Sequence, residues 1–110
     1  IHLQVSSLRA AEEFYHTALG FDITQRNFPG ALFLSAGGYH HHLGVNVWNS
    51  RGTSPAPAHS RGLTRFGLHL GNEQALQSLA EQLRSTPFWL KDSIDGLVVH
   101  DGDNIHIDIT

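Results

Sequence analysis

The sequence predicts an α+β chain built from two βαβββ modules whose mixed sheets curl around a shared cleft. Three observations lead there. The apolar pattern of the opening residues returns 65 positions later, so that Ile1, Leu3 and Val5 fall on Phe66, Leu68 and Leu70. The helical stretch that follows keeps the same offset, with Ala11, Phe14 and Ala18 on Leu76, Leu79 and Leu83. Four strand-like runs also sort by parity into one apolar and one polar face, and the polar faces carry histidine.

Each element follows from its residues. Positions 1–5 alternate apolar and polar side chains, as a half-buried strand should. Ser6 or Ser7 offers a hydroxyl to cap a helix, and Glu12 and Glu13 suit its early turns. The three-then-four spacing of Ala11, Phe14 and Ala18 lines one helix face, and Gly20 ends it because glycine takes positive φ freely. Short runs split by turn residues come next: 21–26, 31–35 and 41–48, with Pro29-Gly30 and Gly37-Gly38 between them. A stretch rich in Ser, Pro, Ala and Gly marks 49–62 as a linker, which makes 1–48 the first module and 63–110 the second. The second helix starts at Asn72 beside Glu73 and ends by Pro87. Strands at 88–90, 96–100 and 105–109 complete the second module, with Asp101-Gly102 as a turn.

At 110 residues and 12.1 kDa, one compact domain is expected. Apolar residues make up 40% and charged ones only 15%, which excludes the composition of a disordered chain. Seven basic residues against ten acidic ones, without a basic run, exclude a groove that tracks nucleic-acid phosphates. No run approaches the ~18 apolar residues of a membrane span. The absence of cysteine excludes disulfides, thiolate zinc sites and a Cys nucleophile together. That absence suits reducing and oxidising compartments alike; no signal peptide is visible, and the expected location is the cytoplasm. The chain has no Met and opens inside a strand pattern, so residues upstream of Ile1 are expected.

A strand sends alternate side chains to opposite faces, and the face under the helix must be the apolar one. In the first strand Ile1, Leu3 and Val5 oppose His2 and Gln4. At the end of the first module Leu43, Val45 and Val47 oppose His40, His42, Gly44, Asn46 and Trp48. At the start of the second, Thr64, Phe66, Leu68 and Leu70 oppose Arg65, Gly67 and His69. In the last strand Ile105, Ile107 and Ile109 oppose His106 and Asp108. Nine histidines are several times the usage of roughly two per hundred expected on average. Lys, Glu or Thr would serve a solvated sheet as well, so the polar faces are expected to line a cleft. Neutral imidazole is the commonest metal ligand and the usual acid–base at neutral pH.

The run Tyr39-His40-His41-His42 falls inside an expected strand after a Gly-Gly turn, where an affinity tag would not sit. Parity turns His40 and His42 toward the cleft and leaves His41 on the helix side or at the strand's entry. His16, His59 and His100 are expected to be solvated.

A strand followed by Leu8-x-x-Ala11-x-x-Phe14-Tyr15 and Leu19-Gly20-Phe21 resembles the module start of the vicinal oxygen chelate superfamily. That group includes glyoxalase I, bleomycin-resistance proteins and extradiol, ring-cleaving dioxygenases. The segment Ala31-Leu32-Phe33-Leu34-Ser35-Ala36-Gly37-Gly38-Tyr39-His40-His41-His42-Leu43-Gly44-Val45-Asn46-Val47-Trp48 closely resembles the C-terminal half of bacterial catechol-2,3-dioxygenase-like proteins of the two-domain type. The resemblance covers residues 1–84 well and the remainder loosely. It implies sheets curled around a divalent metal, often Fe(II) in ring cleavage, that binds a vicinal diol while a nearby His acts as acid–base. Imidazole and carboxylate ligands with open positions suit that chemistry.

On this resemblance His40, His41 and His42 are candidate catalytic residues. Asn46, Trp48, Arg65 and His69 are candidate substrate-binding residues, and His2, His106 and Asp108 are candidate metal ligands. The correspondence is incomplete. The family's first ligand His falls one position before Ile1, on the face of His2. The second module has Arg65 where the family has a ligand His, and a guanidinium cannot ligate a metal. The family's Glu falls on His106 or Ile107, with Asp108 on the face of His106.

The first function implied is an extradiol dioxygenase-like domain acting on a small aromatic substrate, its Fe(II) or other divalent-metal site incomplete in this chain. An absent N-terminal domain or a second copy in a homodimer would complete it. The alternative is a metal-free module that binds a small molecule, as in antibiotic-sequestering members, or a non-catalytic half of a two-domain enzyme. Arg65 at a ligand position favours the metal-free reading. A glyoxalase-like lyase or isomerase comes last, because it needs a carboxylate acid–base and only Asp108 is well placed.

Overall fold

The alternation at the chain's start becomes β1 (His2–Gln4), with Leu3 buried and His2 and Gln4 exposed. The computed structural model describes residues 1–110, which divide into two units, Ile1–Pro55 and Ala56–Thr110. Each unit is a four-stranded mixed sheet with one helical segment, in the order β, helix, β, β, β.

In the first unit the Ser7 hydroxyl caps α1 (Leu8–Ala11) by accepting from the Ala10 N–H at 3.2 Å. The helix continues without a break into wider, π-helical turns over Glu12–Ala18. There the Leu19 N–H reaches back five residues to the Phe14 carbonyl at 2.9 Å. Ala11, Phe14, Tyr15 and Ala18 are all buried, and the Phe14 and Tyr15 rings meet edge to face at 4.7 Å. Strands β2 (Asp22–Gln25), β3 (Ala31–Ser35) and β4 (Leu43–Asn46) follow, giving the sheet order β1-β4-β3-β2 with β1 parallel to β4. Register aligns Leu3, Val45 and Leu32 in one row and Leu43 with Leu34 in the next, all buried. Each such aliphatic side chain taken from water contributes about 1.5–3 kcal/mol. This apolar face is the one that parity assigns.

The second unit repeats the plan with β5 (Arg65–Leu68), α2 (Glu73–Arg84), β6 (Trp89–Asp92), β7 (Leu97–His100) and β8 (His106–Ile109). Its order is β5-β8-β7-β6, with β5 parallel to β8. The Asn72 side chain caps α2 by accepting from the Ala75 N–H at 3.0 Å. Ala80 and Leu83 on the helix and Leu97, Val99, Ile107 and Ile109 on the sheet are buried. The β7–β8 turn is tied by buried Asp101, whose Oδ1 accepts from the Asp103 and Ile105 N–H groups, each at 2.9 Å.

Two expectations are corrected. The Tyr39–His42 run does not lie inside a strand: β4 begins at Leu43. Gly37 and Gly38 both take left-handed φ, 69° and 78°, and carry the chain off the ladder. Only the His42 N–H, donated to the Leu34 carbonyl at 2.9 Å, rejoins it. His16 and His100 are not merely solvated. The His16 Nδ1–H donates to the Phe21 carbonyl at 2.6 Å, and the two ring nitrogens of His100 lie 2.9 and 3.1 Å from the carbonyls of Asp101 and Pro87. Both imidazoles thus pack against backbone carbonyls of neighbouring segments.

Candidate functional site

In the first sheet, register pairs Gly44 with His2 on one side and with Phe33 on the other, so these three share a face. Gly44 is buried and presents no side chain, and the two rings close over its backbone. A Cβ there would stand 3.2 Å from Phe33 Cε1 and 3.3 Å from His2 Cε1 and Nδ1. The His2 and Phe33 rings meet edge to face at 6.2 Å. Trp48, just beyond β4, closes the group: it lies 5.8 Å from His2 and 6.0 Å from Phe28, and Phe28 in turn stands edge-on to Phe33 at 6.0 Å.

The Trp48 ring is held in place from three directions. Its Nε1–H donates to the Pro29 carbonyl at 2.9 Å, and its backbone N–H donates to Asn46 Oδ1 at 3.2 Å. Gly30, at a φ of 70°, lets the indole lie against the turn. Phe28 and Trp48 remain 46% and 53% exposed, so two aromatic faces are open to solvent beside an exposed imidazole. A contiguous exposed aromatic patch is the mark of a binding surface.

The triple-His segment borders this patch. The His41 ring lies 5.1 Å from Phe33, so it is His41 that joins the aromatic group, against the parity expectation. Its pKa is lowered, first by partial desolvation and then by neighbouring imidazoles, those of His40, His2 and His42, which leaves it a neutral base at neutral pH. His42 turns back on its own loop: the Ala36 N–H donates to its Nδ1 at 3.2 Å, with Ser35 Oγ 3.1 Å from the same atom. Its proton therefore sits on Nε2, and His42 offers a donor rather than a base. The His40 ring lies 4.1 Å from that of Tyr39, tilted by 44°, while its carbonyl accepts from the Thr24 hydroxyl at 2.7 Å. Asn46 is buried and acts by positioning Trp48. Phe28, Phe33, Gly30 and Gly44 escape a reading focused on histidine. Sorting 31–35 by parity would have placed Phe33 on this face.

In the second sheet Arg65 pairs in register with His106, and His106 with His100, while Asp108 is opposite Gly67. Arg65 Nε lies 3.1 Å from Asp108 Oδ2. His69 approaches the Thr110 hydroxyl at 3.3 Å. The divalent metal that the resemblance implies does not fit these residues. His2 belongs to the first unit, where its neighbours are two aromatic rings and a glycine. In the second unit the Asp108 carboxylate is taken by a permanent cation. No three His, Asp or Glu side chains form a group able to hold a metal ion.

No known family profile matches the chain. Over 103 residues, 92% of its length, it is 39% identical to a catechol-2,3-dioxygenase of Bacillus subtilis (strain 168), and it spans 36% of that protein. The cppA protein from Streptococcus pneumoniae TIGR4 superposes on 98% of this chain with a TM-score of 0.77 at 17% identity, the match covering 46% of that structure. A glyoxalase family protein from Enterococcus faecalis superposes on 99% with a TM-score of 0.67 at 18% identity, covering 92% of that structure. A glyoxalase/bleomycin resistance protein/dioxygenase from Alicyclobacillus acidocaldarius gives 99%, 0.69 and 17%, covering 86%. Likenesses at such identities show the shared fold.

Proposed function

We propose that this chain, which shares the fold of glyoxalase-family proteins and is 39% identical over 103 residues to part of a catechol-2,3-dioxygenase, is a glyoxalase/dioxygenase-superfamily domain whose first unit binds a small aromatic ring as part of an extradiol dioxygenase-like protein. One observation carries the reading: the half-exposed cluster of Phe28, Phe33, Trp48 and His2 over the Gly44 floor. A planar ligand stacks on Trp48 and Phe33, gaining apolar burial and edge contacts. His41, uncharged at neutral pH, accepts a proton from a ring hydroxyl, and His42 Nε2–H donates to a ring oxygen. A further domain or a second copy of the chain supplies the metal ligands that these residues lack.

The Arg65–Asp108 pair favours a second reading, a metal-free binding module, because it puts a fixed positive charge where a metal would sit. Catechol titration of a Trp89→Phe chain, in which Trp48 is the remaining indole, tests the shared premise. Saturable fluorescence quenching, weakened about tenfold by Phe33→Ala through lost stacking area, is expected. Binding that ignores Phe33 would sink the proposal. Oxygen consumption after anaerobic Fe(II) loading then separates the two readings: its absence despite tight catechol binding assigns the chain alone to the metal-free class.

A further inference from the structure

We propose that the second unit is a receptor for a small monocarboxylate on the face where the resemblance would put a divalent cation. A cavity of about 590 Å³ opens there between the chain leading into β5 and the β7–β8 turn, and its lining includes Arg61, Leu63, Arg65, Asp103, Ile105 and His106. This volume lies within the usual range of small-molecule sites, roughly 300–1,000 Å³.

The chain carries a net charge of -3, yet two of its seven basic residues line this one cavity. Asp108 anchors Arg65 through Nε, at 3.1 Å, which orients the guanidinium and leaves its two terminal nitrogens as donors. Two parallel N–H groups match the two oxygens of a carboxylate, a geometry that lysine does not offer. Arg61 is exposed and has no hydrogen-bond or ion-pair partner within the chain. His106, opposite Arg65 in the ladder, adds an imidazole N–H beside the same spot.

Charge arithmetic narrows the ligand. Asp108 balances Arg65, and Asp103 adds one negative charge to the cavity wall, so a dianion such as phosphate would meet these carboxylates. A single negative charge is what the donor set tolerates. Leu63 and Ile105 supply apolar wall for a compact aliphatic body. The lining residues all belong to the second unit, and none of them is a member of the aromatic cluster described in the first.

The test is a titration of the chain with isobutyrate and with its neutral isostere isobutyramide, followed by residue-resolved NMR. We expect saturable shifts at Arg61, Arg65 and His106 with isobutyrate. The amide should bind about tenfold more weakly, because it lacks the charge that strengthens the hydrogen bonds. Arg65→Gln should remove the isobutyrate response. Arg61→Ala, at an exposed loop position that leaves the fold intact, should weaken it several-fold. Equal affinity for acid and amide would overturn the proposal, as would an unchanged affinity in Arg61→Ala, no saturable response, or shifts confined to residues of the first unit.

Discussion

Trp48 rests on Gly30: the indole Nε1–H donates to the Pro29 carbonyl at 2.9 Å, and a Cβ on Gly30 would stand 2.9 Å from Trp48 Cδ1. A glycine in the Pro29-Gly30 turn thus fixes the orientation of an aromatic face 18 residues further along.

Gly30→Ala combines two penalties, a left-handed φ of 70° and a collision with the indole. We expect a loss of about 1–3 kcal/mol in denaturant unfolding. Trp48 emission should shift and catechol affinity should fall in the same variant. An unmoved Trp48 spectrum on a Trp89→Phe background would show that the turn does not hold the ring.

Asn46→Ala removes the acceptor for the Trp48 N–H from a position only 4% exposed. An unpaired polar group there costs about 1–3 kcal/mol. Because Asn46 positions Trp48 rather than touching the ligand, its loss should raise the ring's Kd without abolishing binding. Unaltered stability and unaltered Kd would assign Asn46 no role.

The two lowered pKa values act in separate acid ranges. The hydrogen bonds from Arg26, 2.7 and 2.9 Å long, hold the Glu12 carboxyl below the usual carboxylate value of 4.5. The folded chain therefore binds that proton less readily than the unfolded one. The stabilisation is full above 4.5 and is lost as pH falls through the folded value. His41 is also held down, by desolvation first and then by His40, His2 and His42, so the folded chain resists protonating it and stability is lost as pH drops below 6.5. In unfolding measurements across pH, His41→Gln should flatten the weakly acidic slope and Glu12→Gln the more acidic one. The Glu12–Arg26 pair and the His41 ring are largely solvent-exposed, so the slopes are shallow. Superimposable wild-type and variant profiles would remove both assignments.

Arg65→His tests what excludes a metal from the second sheet. The substitution frees Asp108 and sets an imidazole directly opposite His106. Zinc binding with two imidazoles and one carboxylate should appear by calorimetry, at neutral pH where imidazole is unprotonated. Isobutyrate affinity should disappear in the same protein. Failure to gain zinc affinity would mean that the three side chains do not converge even when the guanidinium is gone.

Most of the fold was legible because it rests on local signals. Ser7 and Asn72 cap their helices as short polar side chains do, and Ala31–Ser35 forms β3 at its expected bounds. The apolar rows of both sheets follow from alternation, since a two-residue period leaves no other face for Leu3, Val45, Ile107 and Ile109. The triple-His segment shows where that rule stops. Parity assigns faces only while a chain stays in the ladder, and Gly37 and Gly38 take the chain out of it immediately before the histidines.

The sequence by itself determined the βαβββ order of both units, their buried faces, and the absence of a cysteine or a basic groove. The resemblance puts Arg65 where the family has a ligand His, and a guanidinium cannot ligate a metal. Only the tertiary structure decided that His2, Phe33 and Trp48 form one surface, that His41 joins it, and that Arg65 is anchored by Asp108. The physical reason is register. These contacts join residues 8 to 46 positions apart across paired strands and turns, and the strand pairing that brings them together is set by the whole sheet.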